Sequence, residues 1–293
     1  MEKKKKFFNS DSCVYDFSLK DLSTFKVGGK ASVICYPKNL SNAINLYKKA
    51  SAKFPTFILG KGSNVLFSDK GFNGVIISTK NLNSIRLIGE NFIYFEAGAT
   101  VNELLSFCVK NGLTGVEFLA GIPASIGGLV LSNAGAFNNS FLEKVEYLGV
   151  FSQDKLKKVI PKSKGFSYRN SCVKHGEFML FGGIKLEKAD SLTVKTRILE
   201  YLNKRKNQPK GFSAGSVFKN PSGDFAGRLI ESVGLKGKVI GKAKISEIHA
   251  NFIINTGGAL AQDIYSLMRL AEEKVYEKFN IKLEREIILV GEF

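Results

Sequence analysis

Several short segments carry the residue types from which chemistry could be built. GKGSN at 60–64 follows an apolar run at 57–59, where a strand would deliver its loop to a ligand. It lacks the dinucleotide-fold spacing, because Val65 stands where the third glycine would fall. A turn of this composition still presents a nest of backbone N–H groups that suits a pyrophosphate, with Ser63 and Asn64 adding side-chain donors. AGIPASIGG at 120–128 and NAGA at 133–136 form a second stretch where glycine permits positive φ and close backbone approach. The two loops are compatible with one diphosphate-bearing ligand, and equally with two unrelated turns.

Other segments offer side chains rather than backbone. YRNS at 168–171 sets a guanidinium beside an aromatic ring and a hydroxyl, and GFSAGSVFKNP at 211–221 places Ser213 and Ser216 in a turn of small residues. LEREI at 283–287 reads as strand, so that Glu284 and Glu286 share a face, and spacing alone does not choose between them. GKVIGK at 237–242 is not a Walker loop: its glycine spacing is short and Ala243 replaces the magnesium-binding hydroxyl. Cys13, Cys35, Cys108 and Cys172 form no C-x-x-C pair, and with only His175 and His249 no zinc site of usual spacing can be assembled. No metal site is expected, and four reduced thiols in a reducing compartment are.

Elements of mixed type must position these loops. A helix is expected over 41–52 opened by Ser41, strands at 57–59, 75–77 and 92–97, and a helix from Thr100, whose capping box with Glu103 ends at Gly112. Strands follow at 145–151 and 179–186, then a charged amphipathic helix over 191–208 stopped by Pro209. A short helix at 226–233, a strand at 252–254, a long helix at 259–279 and a terminal strand at 283–290 complete the chain. The class is α+β, with an N-terminal extension at 1–23, a first domain at 24–190 and a smaller α+β domain at 191–293.

Composition narrows the function. At 44% hydrophobic and 24% charged residues over 293 positions the chain is globular, with no apolar run of membrane length and no apolar core of a signal peptide; a cytoplasmic protein without membrane insertion is expected. The net charge of +17 invites a nucleic-acid reading. Lysine far outnumbers arginine, however, and is scattered, so no specific nucleic-acid binding is expected and only a general attraction for small polyanions remains.

Together the motifs resemble the UDP-N-acetylenolpyruvoylglucosamine reductase family. TFKVGGKA (24–31), GKGSNVLFSDKGFNGVII (60–77), GVEFLAGIPASIGG (115–128), NAGA, YRNS, the QP to SAGSVFKNP block (208–221), SEIHANFIINTGGA (246–259) and the closing LEREIILVGEF occur in the family's order. The resemblance implies a two-part FAD-binding domain of the vanillyl-alcohol-oxidase (PCMH) type and a second domain for a UDP-sugar. It implies NADPH-dependent, FAD-mediated reduction of UDP-N-acetylglucosamine enolpyruvate to UDP-N-acetylmuramate in peptidoglycan precursor synthesis. Non-covalent flavin fits, since neither histidine lies in a glycine loop.

By the same resemblance Gly60, Lys61, Gly62, Ser63, Asn64, Gly121, Ile122, Pro123, Ser125, Gly127, Gly128, Asn133, Ala134 and Gly135 belong to the cofactor site. Arg169 matches the family's arginine, Ser216 its proton donor and Glu286, rather than Glu284, its glutamate. Tyr168, Lys219 and Asn220 fall to the substrate. Ala124 replaces a glycine of the family's GIPG turn, and Val173 a phenylalanine. No counterpart of the long form's substrate-capping loop is present, which assigns the chain to the short form. Valine at Gly62 is expected to leave a folded protein without flavin. The rivals are another flavin oxidoreductase of this fold acting on a sugar or alcohol, and a basic binding protein without flavin.

Because the UDP-sugar and NADPH are both polyanions, a basic cleft should speed their capture in a salt-sensitive way. Raising salt from low to physiological strength is expected to lower kcat/KM for both. Steady-state kinetics across that range check this, and unchanged values remove any role for the excess charge in capture.

Overall fold

The computed structural model describes residues 4, 7, 8, 12–174 and 176–293, so His175 and most of positions 1–11 lie outside the described residues. Local rules set several elements where the sequence points. Helix Val101–Asn111 opens on Thr100, whose hydroxyl accepts from the Glu103 N–H while the Glu103 carboxylate accepts from the Thr100 N–H, and it ends on Gly112 at φ 59°. Helix Leu40–Ser51 opens one turn-position earlier than expected, because the Asn39 side chain rather than Ser41 accepts from the Asn42 N–H.

The chain folds as two units, each discontinuous in sequence. A central unit comprises Cys35–Lys61 and Ile76–Lys206; a terminal unit comprises the chain up to Ile34, Gly62–Val75 and Asn207–Phe293. The chain crosses between them inside strands Lys30–Cys35 and Phe72–Ser78, and again in the GKGSN loop after Lys61. This differs from a single division near 190. Of the segment 1–23, residues 13–18 form a strand and Leu19–Leu22 a helical turn, with Leu19 fully buried.

The central unit is built on a five-stranded antiparallel sheet in the order Lys155–Val159, Val145–Ser152, Phe178–Lys185, Phe92–Glu96, Ile85–Ile88. One face buries Phe95, Leu148 and Ile184 with Phe141, Leu104 and Leu129 into a single core. Helix Ser191–Lys204, capped by Asp190 through the Thr193 N–H at 2.9 Å, buries Val194 in that same core with Ile198 and Tyr201 alongside. That burial is why the helix belongs to the central unit instead of opening a second domain.

In the terminal unit, helix Ala261–Phe279 lays Ala261, Ile264, Leu267, Met268, Ala271 and Val275 on one apolar stripe. The stripe shares a core with Ala243, Ile245 and Ile253, which belong to a three-stranded sheet of Val239–Ile240, Ala243–Ile245 and Ile253–Asn255. The Asp69 carboxylate accepts from the first N–H groups of this helix, Ala261 and Gln262, each at 2.9 Å. The terminal strand is shorter than expected: Ile288–Val290 pairs, parallel, with Val65–Phe67.

The α+β class is borne out. The thiol expectation needs correction: Cys108 and Cys172 are free and buried, but Cys13 and Cys35 are disulfide-bonded. Cys13 opens one strand and Cys35 closes another, a placement their separation in sequence does not disclose. Burial, and then the Glu117 charge, push the Cys108 thiol up to about 12, so it is a packing residue and not a nucleophile. No helix among the described residues is long and apolar enough to cross a membrane.

Candidate active site

In the central unit the 120–128 loop is fastened to the end of strand Phe92–Glu96. Ile126 and Gly127 donate to the carbonyls of Ala99 and Ala97 at 2.7 and 2.8 Å, and Val101 donates to Ala124 at 3.0 Å. Ser125 accepts from the Gly128 N–H at 3.4 Å, at the start of the short helix Ile126–Ser132. A Cβ on Gly60 would lie 2.2 Å from the Ser125 hydroxyl, so the first glycine of GKGSN lets that loop rest against the second. Gly98 is a second such position, missed in the sequence: a Cβ there would lie 1.8 Å from the Thr79 carbonyl. Its signal was available, an isolated glycine directly after a strand.

The two loops are unequal as donors, which changes the expectation of a shared backbone cradle. Ile122, Ala124, Ile126, Gly127 and Gly128 donate within the protein, whereas no N–H from Gly60 to Asn64 does so among the described residues. GKGSN therefore keeps its backbone donors open, whereas the 120–128 loop spends most of its own within the protein. Lys61, Gly121 and Pro123 are exposed and Ile122 is half-buried.

NAGA and YRNS are brought together. Asn133, buried and left-handed at φ 40°, donates from its amide to the Ser167 carbonyl at 2.8 Å and accepts from the Leu142 N–H. Ser167 and Asn170 exchange backbone hydrogen bonds around a tight turn, and Arg169 takes its left-handed position at φ 53°. The Arg169 guanidinium donates to the Gly135 carbonyl at 3.3 Å and lies 5.3 Å from the centre of the exposed Tyr168 ring. Ala134 donates to Leu129 and accepts from Phe141, holding the loop that Arg169 grips.

The terminal unit holds Ser216 and Glu286. Ser216 bridges to Phe252, and the next residue, Val217, donates to the Asn251 carbonyl at 2.8 Å. The buried Asn251 amide accepts from the Phe218 N–H at 2.9 Å and donates to the Phe218 carbonyl at 2.8 Å. On the other side the Val217 carbonyl accepts from the Glu286 N–H at 2.8 Å, so Ser216 and Glu286 stand one residue apart across that pairing. Asn64 joins them through its amide, 3.0 Å from the Glu286 carbonyl.

The two glutamates are now distinct. Glu284 is exposed and ion-paired with Lys219, whereas Glu286 is half-buried. Lys219 thus faces a carboxylate, and Asn220 caps helix Ala226–Ser232 by accepting from the Ala226 N–H at 3.1 Å. Ser63 is half-buried. Gly62 is a folding position: at φ 70° its Cβ would lie 1.7 Å from the Leu22 carbonyl. Valine there would disrupt the unit before it tested any ligand, which corrects the expectation of a folded variant. Arg169 and Tyr168 belong to the central unit, and Ser216, Glu286, Lys219 and Asn220 to the terminal one.

Comparison with known proteins finds the same pattern. Residues 31–154 match the FAD binding domain family, and residues 207–290 match the C-terminal domain of UDP-N-acetylenolpyruvoylglucosamine reductase. The reductase of that name from Caldicellulosiruptor saccharolyticus is 40% identical over 95% of this chain and 92% of its own. That from Clostridium novyi is 40% identical over 94% and 91%. The crystal structure of UDP-N-acetylenolpyruvylglucosamine reductase from Thermus caldophilus superposes with a TM-score of 0.81 at 34% identity, covering 95% of this chain and 98% of that one.

The Gly60–Ser125 approach supplies the test of the cofactor loops that Gly62 cannot. A Gly60→Val protein is expected to purify folded by circular dichroism but with flavin absorbance reduced at least tenfold. Stoichiometric FAD in that variant would count against the loop.

Proposed function

The chain belongs to the UDP-N-acetylenolpyruvoylglucosamine reductase family, FAD-dependent oxidoreductases of peptidoglycan precursor synthesis, and from that premise we propose how its own residues divide the work. The residues fit a flavin: the GKGSN backbone donors are open, and Gly60, Gly98 and Gly127 let the surrounding loops pack closely on Ser125, Thr79 and Ala97. When bound, FAD supplies the hydride chemistry between NADPH and the terminal carbon of the enolpyruvyl group. Gly60, Lys61, Gly62, Ser63 and Asn64 would hold its diphosphate, and 121–128 with 133–135 would shape the remaining wall. The substrates are UDP-N-acetylglucosamine enolpyruvate and NADPH, soluble polyanions that place the enzyme in the cytoplasm.

Addition of hydride to the terminal carbon leaves negative charge on the adjoining carbon and its carboxylate. Arg169 stabilises that charge as a cation positioned before reaction, its backbone fixed by the turn and its guanidinium by Gly135. Ser216 then donates its hydroxyl proton to the carbon bearing the ether oxygen, which completes the addition of H⁻ and H⁺ across the double bond. Glu286 orients the same region from the adjacent segment, and Tyr168, Lys219 and Asn220 contact the sugar nucleotide. For Lys219 that role requires leaving Glu284, an exchange of one anion for another.

The observation that carries the Ser216 assignment is its support. Three hydrogen bonds to Asn251 and one from Glu286 fix the two residues that follow it, so its hydroxyl sits on backbone with no freedom to drift. A donor of such high intrinsic pKa transfers a proton only when held in place.

Two half-reactions test the reading. Wild-type protein should be yellow, bleach with NADPH and recover on adding the enolpyruvyl sugar nucleotide; recovery with other sugars or alcohols instead would favour the rival oxidoreductase. Ser216→Ala should bleach at a normal rate yet recover at least 100-fold more slowly, within the roughly 10²- to 10⁴-fold of general acid catalysis or beyond it. Ser216→Cys should restore part of the rate, and Ser213→Ala should cost little. Turnover of Ser216→Ala within tenfold of wild type would leave Glu286 or water as the donor.

A further inference from the structure

Arg205 is half-buried at the C-terminal end of helix Ser191–Lys204, and no motif or comparison singles it out. Its Nε is buried with no hydrogen-bond partner among the described residues, and its Nη2 reaches the Phe118 carbonyl only at 3.5 Å. Other arginines of the chain are answered: Arg228 by Asp224, Arg285 by Glu272. No carboxylate pairs with Arg205 among the described residues. A buried guanidinium left in that state is costly unless something else completes it.

Its surroundings are cationic. Arg205 lies 5.2 Å from the centre of the Phe137 ring, and Lys204 lies 5.6 Å from the same centre. Two residues before Phe137, the Gly135 carbonyl holds Arg169 at 3.3 Å. Phe137 itself is 40% exposed. Burial first, and the Arg169 charge second, disfavour the Arg205 cation, so the two guanidinium groups are close enough to repel. Gly121 makes the arrangement possible, since a Cβ there would lie 2.9 Å from the Arg205 Cδ. Two cations at a partly exposed ring, with Arg169 held two residues away and the Arg205 Nε without a partner among the described residues, suit an anion with several oxygens.

We propose that Arg205 is a further substrate-binding residue, whose guanidinium takes phosphate or carboxylate oxygens of a polyanionic substrate beside Arg169. The proposal rests on the functional reading above. Its anion has two sources, the sugar nucleotide and the reducing dinucleotide, which the half-reactions separate.

The experiment uses FAD-loaded protein. Wild type is first shown to bleach with NADPH and to recover with the enolpyruvyl sugar nucleotide; failure there refutes the functional reading, independently of Arg205. Arg205→Met, which keeps the stem over Phe137 and Gly121 but not the charge, is then taken through both half-reactions with flavin content and melting temperature recorded. Retained flavin with a half-saturating concentration raised about tenfold or more in one arm supports the proposal and names the source. A rise in both arms means that the two polyanions share the residue. Arg205→Lys should recover part of the loss. Half-saturation within twofold of wild type in both arms, or a loss confined to the limiting rate, overturns it in favour of a structural role. If Arg205→Met does not fold, Arg205→Lys decides: several-fold weaker saturation supports the fork, and unchanged saturation overturns it.

Discussion

Arg169, Ser216 and Glu286 lie on backbone outside regular helix or extended sheet, and such backbone, once buried, must find hydrogen-bond partners. Asparagine meets that need repeatedly, because one planar amide offers both a donor and an acceptor to a single peptide. Asn251 brackets Phe218 on both its N–H and its carbonyl. Asn255 donates to the Phe25 carbonyl and accepts from Gly257 and Ala259. Asn133 ties NAGA to YRNS, and Asn64 ties GKGSN to Glu286. Aspartate could not donate in any of these places, and each abandoned carbonyl would cost about 1–3 kcal/mol.

The same pairing rule divides labour between the glycine loops. Where a loop's N–H groups are engaged by neighbouring carbonyls, as in 120–128, it contributes contour; where they are not, as in 60–64, it contributes donors. Composition alone does not separate these cases, since both segments are rich in glycine and small residues. The path of the neighbouring 97–101 segment takes the Ile126 and Gly127 donors, while Ile122, Ala124 and Gly128 turn back on residues 119–125.

This is also the boundary of what the sequence discloses. The capping box at Thr100, the stop at Gly112, the sheet strands and the α+β class follow from periodicity and local chemistry, so they were legible. Ser216, Arg169 and Glu286 were singled out only through several motifs in order, because a lone serine or arginine carries no spacing signal. Relations that arise from long-range pairing were not legible. The 283–290 run reads as one strand, yet it pairs first with 217–219 and only then, from Ile288, with Val65–Phe67. The disulfide-bonded state of Cys13 and Cys35 and the burial of Val194 belong to the same class.

Charge shows most clearly why totals mislead. Of the net +17, much resides in lysines such as Lys155, Lys157 and Lys158 on the sheet's edge strand, where exposed charge discourages pairing with another chain. Others, such as Lys162 and Lys274, face carboxylates across exposed pairs of small energetic consequence. Neither group selects a ligand. Selection rests with cations that the fold has partly removed from water and left without a carboxylate, since desolvation strengthens their pull on an incoming anion. Arg205 meets both conditions, held over Phe137 two residues from the carbonyl that Arg169 grips. A change of surface lysines would alter the distant field around the chain, whereas a change at this position would alter what the chain binds.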